Sequence, residues 1–135
     1  MASDKVLVDT TCWSLVLRRK EPEHAIASKV GSLIRRGRVA IIGPIRQELL
    51  SGVSERAEFD RLRDRMRGFP ETEIVSTDYE EAAAFYNECR RNGIQGSQVD
   101  FLICAVAVRN EFSIFTTDGD FAHYAKVLPI TLYDS

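Results

Sequence analysis

Short apolar runs alternate along the chain with longer stretches in which apolar residues recur every three or four positions. That alternation is the pattern of an α/β fold with a parallel sheet. Lys5-Val6-Leu7-Val8 predicts a buried strand that ends at Asp9, and a short helix is expected from Thr11 to about Arg19. A second helix has Pro22 at a first helical position, Ile26, Val30, Leu33 and Ile34 on one face, and Gly37 at its end. Val39-Ala40-Ile41-Ile42 is a second strand, stopped by Gly43-Pro44, where proline opens a helix carrying Ile45, Glu48 and Leu49. Another helix is expected from about Ser54 to Arg67, with Phe59, Leu62 and Met66 facing inward.

Glu73-Ile74-Val75 reads as a brief third strand, and Thr77 with Glu80 as a capping box for a helix through Arg91. Ser97 caps the most apolar helix, whose residues Val99 to Val108 are hydrophobic nearly all round except at Asp100; such a helix lies inside a domain. Ser113-Ile114-Phe115-Thr116 gives a fourth strand and Pro129-Ile130-Thr131-Leu132 a fifth, at an edge, with a short helix through Tyr124 between them. The expectation is one domain over residues 1–135, built on a central, mainly parallel sheet of four to five strands flanked by helices.

Composition changes this picture little. With 135 residues, 44% of them hydrophobic and 28% charged, the chain has the material for one well-filled core. No apolar run has the length of a membrane span and no signal-peptide pattern opens the chain, so a cytoplasmic protein is expected. Cys12, Cys89 and Cys104 are odd in number and widely spaced, which favours reduced thiols packed as small apolar groups. The net charge of −2 does not announce a nucleic-acid binder. Arg56, Arg61, Arg63, Arg65 and Arg67 do cluster in one helix; such a face is ordinarily just solvated, and its functional reading is a surface for a phosphate backbone or a partner, with Arg61 and Arg65 as candidate contacts.

Chemistry concentrates in four acidic residues. Parallel α/β sheets form their sites where strand C-termini meet helix N-termini. Asp9 ends the first strand, Asp118 follows the fourth, Asp100 is the lone charge opening the buried helix, and Glu48 lies in the helix after the second strand. Each has an ordinary alternative: Asp9 as a helix cap, Asp118 as turn chemistry, Glu48 as a solvated helix residue, Asp100 as part of a Ser97 cap. Together, carboxylates in one cleft repel one another, and protonation or a cation must relieve them. Oxygen-only ligands point to Mg²⁺ or Mn²⁺, an ion suited to activating water against a phosphodiester. No histidine is placed to activate a serine, threonine or cysteine nucleophile.

The same residues resemble the motifs of PIN domains. Val8-Asp9-Thr10-Thr11-Cys12-Trp13 is similar to the family's opening motif, and the segment from Ile42 to Gly52 to its second, with Glu48 as the glutamate. Asp100-Phe101-Leu102-Ile103-Cys104-Ala105 resembles the third, and Thr116-Thr117-Asp118-Gly119-Asp120-Phe121 the fourth, T-x-D-x-D-F. Order and spacing agree over essentially the whole chain, and the nearest subgroup is the VapC-like toxins of type II toxin–antitoxin modules.

The resemblance implies a three-layer PIN-like fold and Mg²⁺- or Mn²⁺-dependent endonucleolytic cleavage of RNA. It also implies a homodimer and a cognate antitoxin that covers the cleft. Asp9, Glu48, Asp100 and Asp118 then take the family's acidic, metal-binding positions. Thr11 and Thr116 stand where hydroxyls orient a carboxylate or water, and Asp120 is either a further site member or a helix cap. The main rival is a non-catalytic module that uses an acidic metal-binding cleft to dock RNA or a basic peptide. Aspartyl-phosphate chemistry fits less well, because Thr11 occupies the place of the second aspartate in a D-x-D motif.

Overall fold

A computed structural model describes residues 4–18 and 24–133 of the chain. Three strands form a parallel sheet in the order β2-β1-β3, with β1 at Val6–Val8, β2 at Val39–Ala40 and β3 at Ser113–Phe115. All of β1 is buried, as its unbroken apolar run predicts for a central parallel strand. It pairs Val6 with Val39 on one side, and Val6, Leu7 and Val8 with Ser113, Ile114 and Phe115 on the other.

Helices fill both crossovers. Between β1 and β2 lie α1 (Thr10–Trp13), a wider π-type turn over Ser14–Arg18, and α2 (His24–Arg35). The expected end of the first helix at Arg19 and the start of the second at Pro22 fall outside the described residues. Between β2 and β3 come α3 (Gly43–Leu50), α4 (Arg56–Arg67), α5 (Ser76–Arg91) and α6 (Gln98–Asn110), and α7 (Asp120–Tyr124) follows β3. The chain steps from β1 outward to β2, then crosses back over β1 to β3. Right-handed connections of opposite sense place their helices on opposite faces of the sheet, which gives the three layers.

The sheet is narrower than the four to five strands expected. Glu73-Ile74-Val75 is not a strand, because its backbone finds other partners. The Glu73 carbonyl accepts from Arg109 Nη2 at 2.9 Å, and the Val75 N–H donates to Asp78 Oδ2 at 2.9 Å. The chain meets the sheet just before this segment, through one parallel bridge of Glu71 to Ile41 in which the Thr72 N–H donates to the Ile41 carbonyl at 2.8 Å. The expected strand 129–132 is likewise a single bridge, Leu132 to Ile114; Pro129 opens that segment without an N–H to offer a ladder.

The helix expected to start with a Thr77/Glu80 capping box is capped instead by Val75 and Asp78. Asp78, 2% exposed, also receives two bonds from Arg109, at 2.7 Å from Nε and 2.9 Å from Nη2, which tie the start of α5 to the last turn of α6. Ser97 caps α6 as read from the sequence, and every residue from Phe101 to Ala107 is buried. Gly37 closes α2 in the left-handed conformation, φ 64°, that glycine tolerates. Among the described residues no helix is long and apolar enough to cross a membrane.

Candidate active site

The strand order reverses at β1, so the cleft beyond the C-terminal ends of β1 and β3 is the switch point where open α/β sheets place their sites. Pairing of Val8 with Phe115, extended by the Asp9 N–H donating to the Phe115 carbonyl at 2.8 Å, sets Asp9 beside Thr116. Asp9 is only 5% exposed, and its two oxygens have separate jobs. Oδ1 accepts the Thr10 N–H at 2.7 Å and caps α1. Oδ2 accepts from the hydroxyls of Thr116 at 2.8 Å and Thr11 at 3.3 Å. The capping role and a place in the cleft therefore coexist.

The two threonines knit the strand ends together. Their hydroxyls are 3.3 Å apart; that of Thr11 accepts the Thr117 N–H, and that of Thr116 the Asp118 N–H at 3.0 Å. Asp118, half-buried, accepts the Asp120 N–H on Oδ1 at 2.9 Å and so starts α7. Asp120 itself is exposed in the first turn of that helix.

Asp100 reaches the cleft from the N-terminus of α6. Its N–H donates to Ser97 Oγ at 3.1 Å, while its Oδ2 accepts from the Tyr124 hydroxyl at 2.7 Å. The carboxylate is thus turned toward α7 rather than back onto the cap. Glu48 is exposed on α3 and joins the group through Thr10, whose hydroxyl donates to Oε1 at 2.9 Å.

Electrostatics report the same proximity. Burial pushes the Asp9 carboxyl above its ordinary range; hydrogen bonds from Thr116 and Thr10 pull it back, the charge of Asp100 adds to the push, and the net shift is upward. The Tyr124 phenol is driven well above its ordinary value, first by burial, then by its bond to Asp100 and the charges of Asp100, Asp120 and Asp118. Cys12, below Asp9, is raised to about 12, chiefly by burial and then by Asp9, so its thiol stays protonated and inert. All three cysteines are buried and unpaired.

The site thus gathers Asp9, Asp100, Asp118, Thr11 and Thr116, with Glu48 at its border. Three participants went unread in the sequence: Thr10, Tyr124 and Gly96, the last packed against the Tyr124 ring. A buried tyrosine needs a partner for its hydroxyl, which was the available signal for Tyr124. Arg61 and Arg65 stand exposed on α4, and no hydrogen bond or ion pair joins them to the cleft among the described residues. Arg61 pairs with Glu58 one turn back.

Among the described residues no three acidic, histidine or cysteine side chains already converge as a finished ligand cage. The donor set nonetheless fits a hard divalent cation. It is all oxygen, and its innermost carboxylate carries a desolvation burden and a like-charged neighbour that a cation would relieve.

Fold and site define an α/β protein with an acidic cleft at the switch point of a short parallel sheet. The PIN domain family model matches residues 6–127, and the chain belongs to that family. In sequence it is similar to the VapC ribonuclease Mb1587 of Mycobacterium bovis and to ribonuclease VapC11 of Mycobacterium tuberculosis. Each is 28% identical over 124 residues, covering 90% of this chain and 92% of the relative. The fold is shared with solved structures of low identity. FitAcB from Neisseria gonorrhoeae matches with a TM-score of 0.71 at 18% identity over 96% of both chains. VapBC2 from Rickettsia felis, solved on a promoter DNA fragment, matches at 0.75 with 12% identity over 96% of this chain and 98% of that one. Mycobacterium tuberculosis VapC20, described as a sarcin-ricin loop cleaving toxin, matches at 0.70 with 17% identity over 93% and 98%.

Proposed function

We propose that this chain is a Mg²⁺- or Mn²⁺-dependent endoribonuclease, the toxin of a toxin–antitoxin pair acting in the cytoplasm. The observation that carries the reading is Asp9: a buried carboxylate at the switch point, held by three donors and facing the charge of Asp100. The names of the ribonuclease relatives support the reaction class. The VapBC structures among the neighbours support an antitoxin partner, and the homodimer rests on the family resemblance alone.

In this reading Asp9, Asp100 and Asp118 hold the ion and Glu48 holds it or positions the attacking water. When bound, the ion activates water, neutralises phosphate oxygens and stabilises the leaving oxygen. The protein's own part is placement. Thr116 and Thr11 fix the rotamer of Asp9, and Thr10 steadies Glu48 at the rim. Asp118 anchors the loop entering α7, with Asp120 supplying the N–H that it accepts. Arg61 and Arg65 are assigned to the RNA backbone or the antitoxin.

Incubation with a panel of structured cellular RNAs, with Mg²⁺ or Mn²⁺, with chelator, and beside an Asp100→Asn control tests this. Cleavage at discrete positions that needs both the ion and Asp100 is expected. RNA binding that survives chelation with no RNA ever cut would make the chain a binding module instead.

A further inference from the structure

Tyr124 is completely buried at the end of α7, and its hydroxyl donates to one oxygen of the half-buried Asp100 at 2.7 Å. Its ring is fixed from two sides, by Phe121 with centroids 5.1 Å apart and by Phe101 at 5.0 Å. A third wall is Gly96. A Cβ there would collide with the Tyr124 hydroxyl and stand 2.8 Å from both the Tyr124 and Phe101 ring carbons. Gly96 is not in the left-handed region, so the demand for glycine is one of space. The sequence thus keeps a slot open at the one point where the phenol meets the carboxylate.

We propose that Tyr124 is a positioning residue for Asp100, its hydroxyl locking the carboxylate in the orientation that divalent-ion binding uses. The proposal rests on the nuclease reading of the cleft. Asp100 sits in the first turn of α6, and its cap bond to Ser97 engages only its backbone. Among the described residues the Tyr124 hydroxyl is the one hydrogen-bond donor to the Asp100 side chain, and it comes from the helix that the Asp118 loop enters. It therefore couples the third and fourth acidic motifs. Hydrogen bonds from a second layer of groups fix the geometry of metal-ligating carboxylates, and their loss commonly weakens metal binding about 10- to 100-fold.

Mn²⁺ affinity measured by calorimetry on the full chain separates this role from simple packing. Tyr124→Phe keeps the ring and removes only the hydroxyl, and about a 10-fold or greater loss of Mn²⁺ affinity is expected, with the melting temperature nearly unchanged. Gly96→Ala approaches the same bond from the other side and should also weaken Mn²⁺ binding. Met66→Ala, a packing control buried on α4 and outside the Tyr124–Asp100 contact, should lower the melting temperature and leave the affinity of the folded protein unchanged. Wild-type affinity in both folded Tyr124→Phe and folded Gly96→Ala overturns the proposal. Undiminished affinity in Asp100→Asn would instead overturn the metal-site reading beneath it.

Discussion

Asp9 shows at the scale of one residue how a site can be held at the expense of stability. Its carboxyl is raised, mainly by burial and against the pull of Thr116 and Thr10, so the folded chain binds its proton more tightly than the unfolded chain does. For a raised acid the contribution to stability falls as pH rises from the ordinary value of 3.8 through the folded value. Above the ordinary value the Asp9 carboxyl is therefore a burden on the fold that an amide would not carry. The hydroxyls of Thr11 and Thr116 can each reverse and accept from an amide N–H. Asp9→Asn is expected to melt at or above the wild-type temperature at pH 7 without divalent ions, while losing Mg²⁺-dependent stabilisation. Thermal scans with and without Mg²⁺ check both, and a clear drop in the metal-free melting temperature would show that the charge of Asp9 stabilises the fold. Asp9 was legible in the sequence because a strand end is a local pattern, and Thr11 and Thr116 because they stand in motifs that resemble those of the PIN family. Thr10, Gly96 and Tyr124 were not. Their partners Glu48, Tyr124 and Asp100 lie far away along the chain, and only tertiary packing brings them together.

Among the elements, the helices and the core strands follow from periodicity, since β1, α6 and the buried face of α4 carry patterns that burial alone explains. The outer strands were over-read. Glu73-Ile74-Val75 has a strand's composition, but Arg109 and Asp78 satisfy its backbone before a neighbouring strand can. That ion pair also gives the α5–α6 layer a measurable dependence. Burial pushes the Asp78 carboxyl up, yet the Arg109 bonds, the Val75 N–H and the Arg109 charge outweigh it, and the net shift is downward. Its stabilisation is present above the unfolded value of 3.8 and is lost as pH falls through the lower folded value. Because Arg109 keeps 37% exposure, Asp78→Ala should cost between the ~1 kcal/mol of an exposed pair and the ~3–5 kcal/mol of a broken buried one. Urea denaturation at pH 7 reads that difference, and it should shrink below pH 3.8. On α4 the arginines are mostly offset locally: Arg56 and Arg63 by Asp60, Arg61 by Glu58, and Arg67 by Asp64. Arg65 makes no such pair among the described residues, so it is the better of the two candidate contacts. Arg65→Ala should weaken RNA binding and reduce the slope of log affinity against log salt by about one, whereas Arg61→Ala should change it less.

For the whole molecule, the sheet order brings β1 and β3 together at one end, and α6 and α7 close over it with Asp100 and Tyr124. Four acidic motifs spread from residue 9 to residue 118 become one neighbourhood only through that topology. The central claim is that they act as one site. Residues that act as a unit are strongly non-additive, since removing one member forfeits most of what the set supplies. The direct test is single-turnover cleavage of a mapped RNA site, with saturating Mn²⁺, by Asp9→Asn, Asp100→Asn and the double variant. If the carboxylates share one metal-dependent reaction, each single variant is slowed by orders of magnitude and the double variant is no slower than the worse of the two. Effects that multiply, or a single variant that cuts at the wild-type rate, would contradict the one-site account.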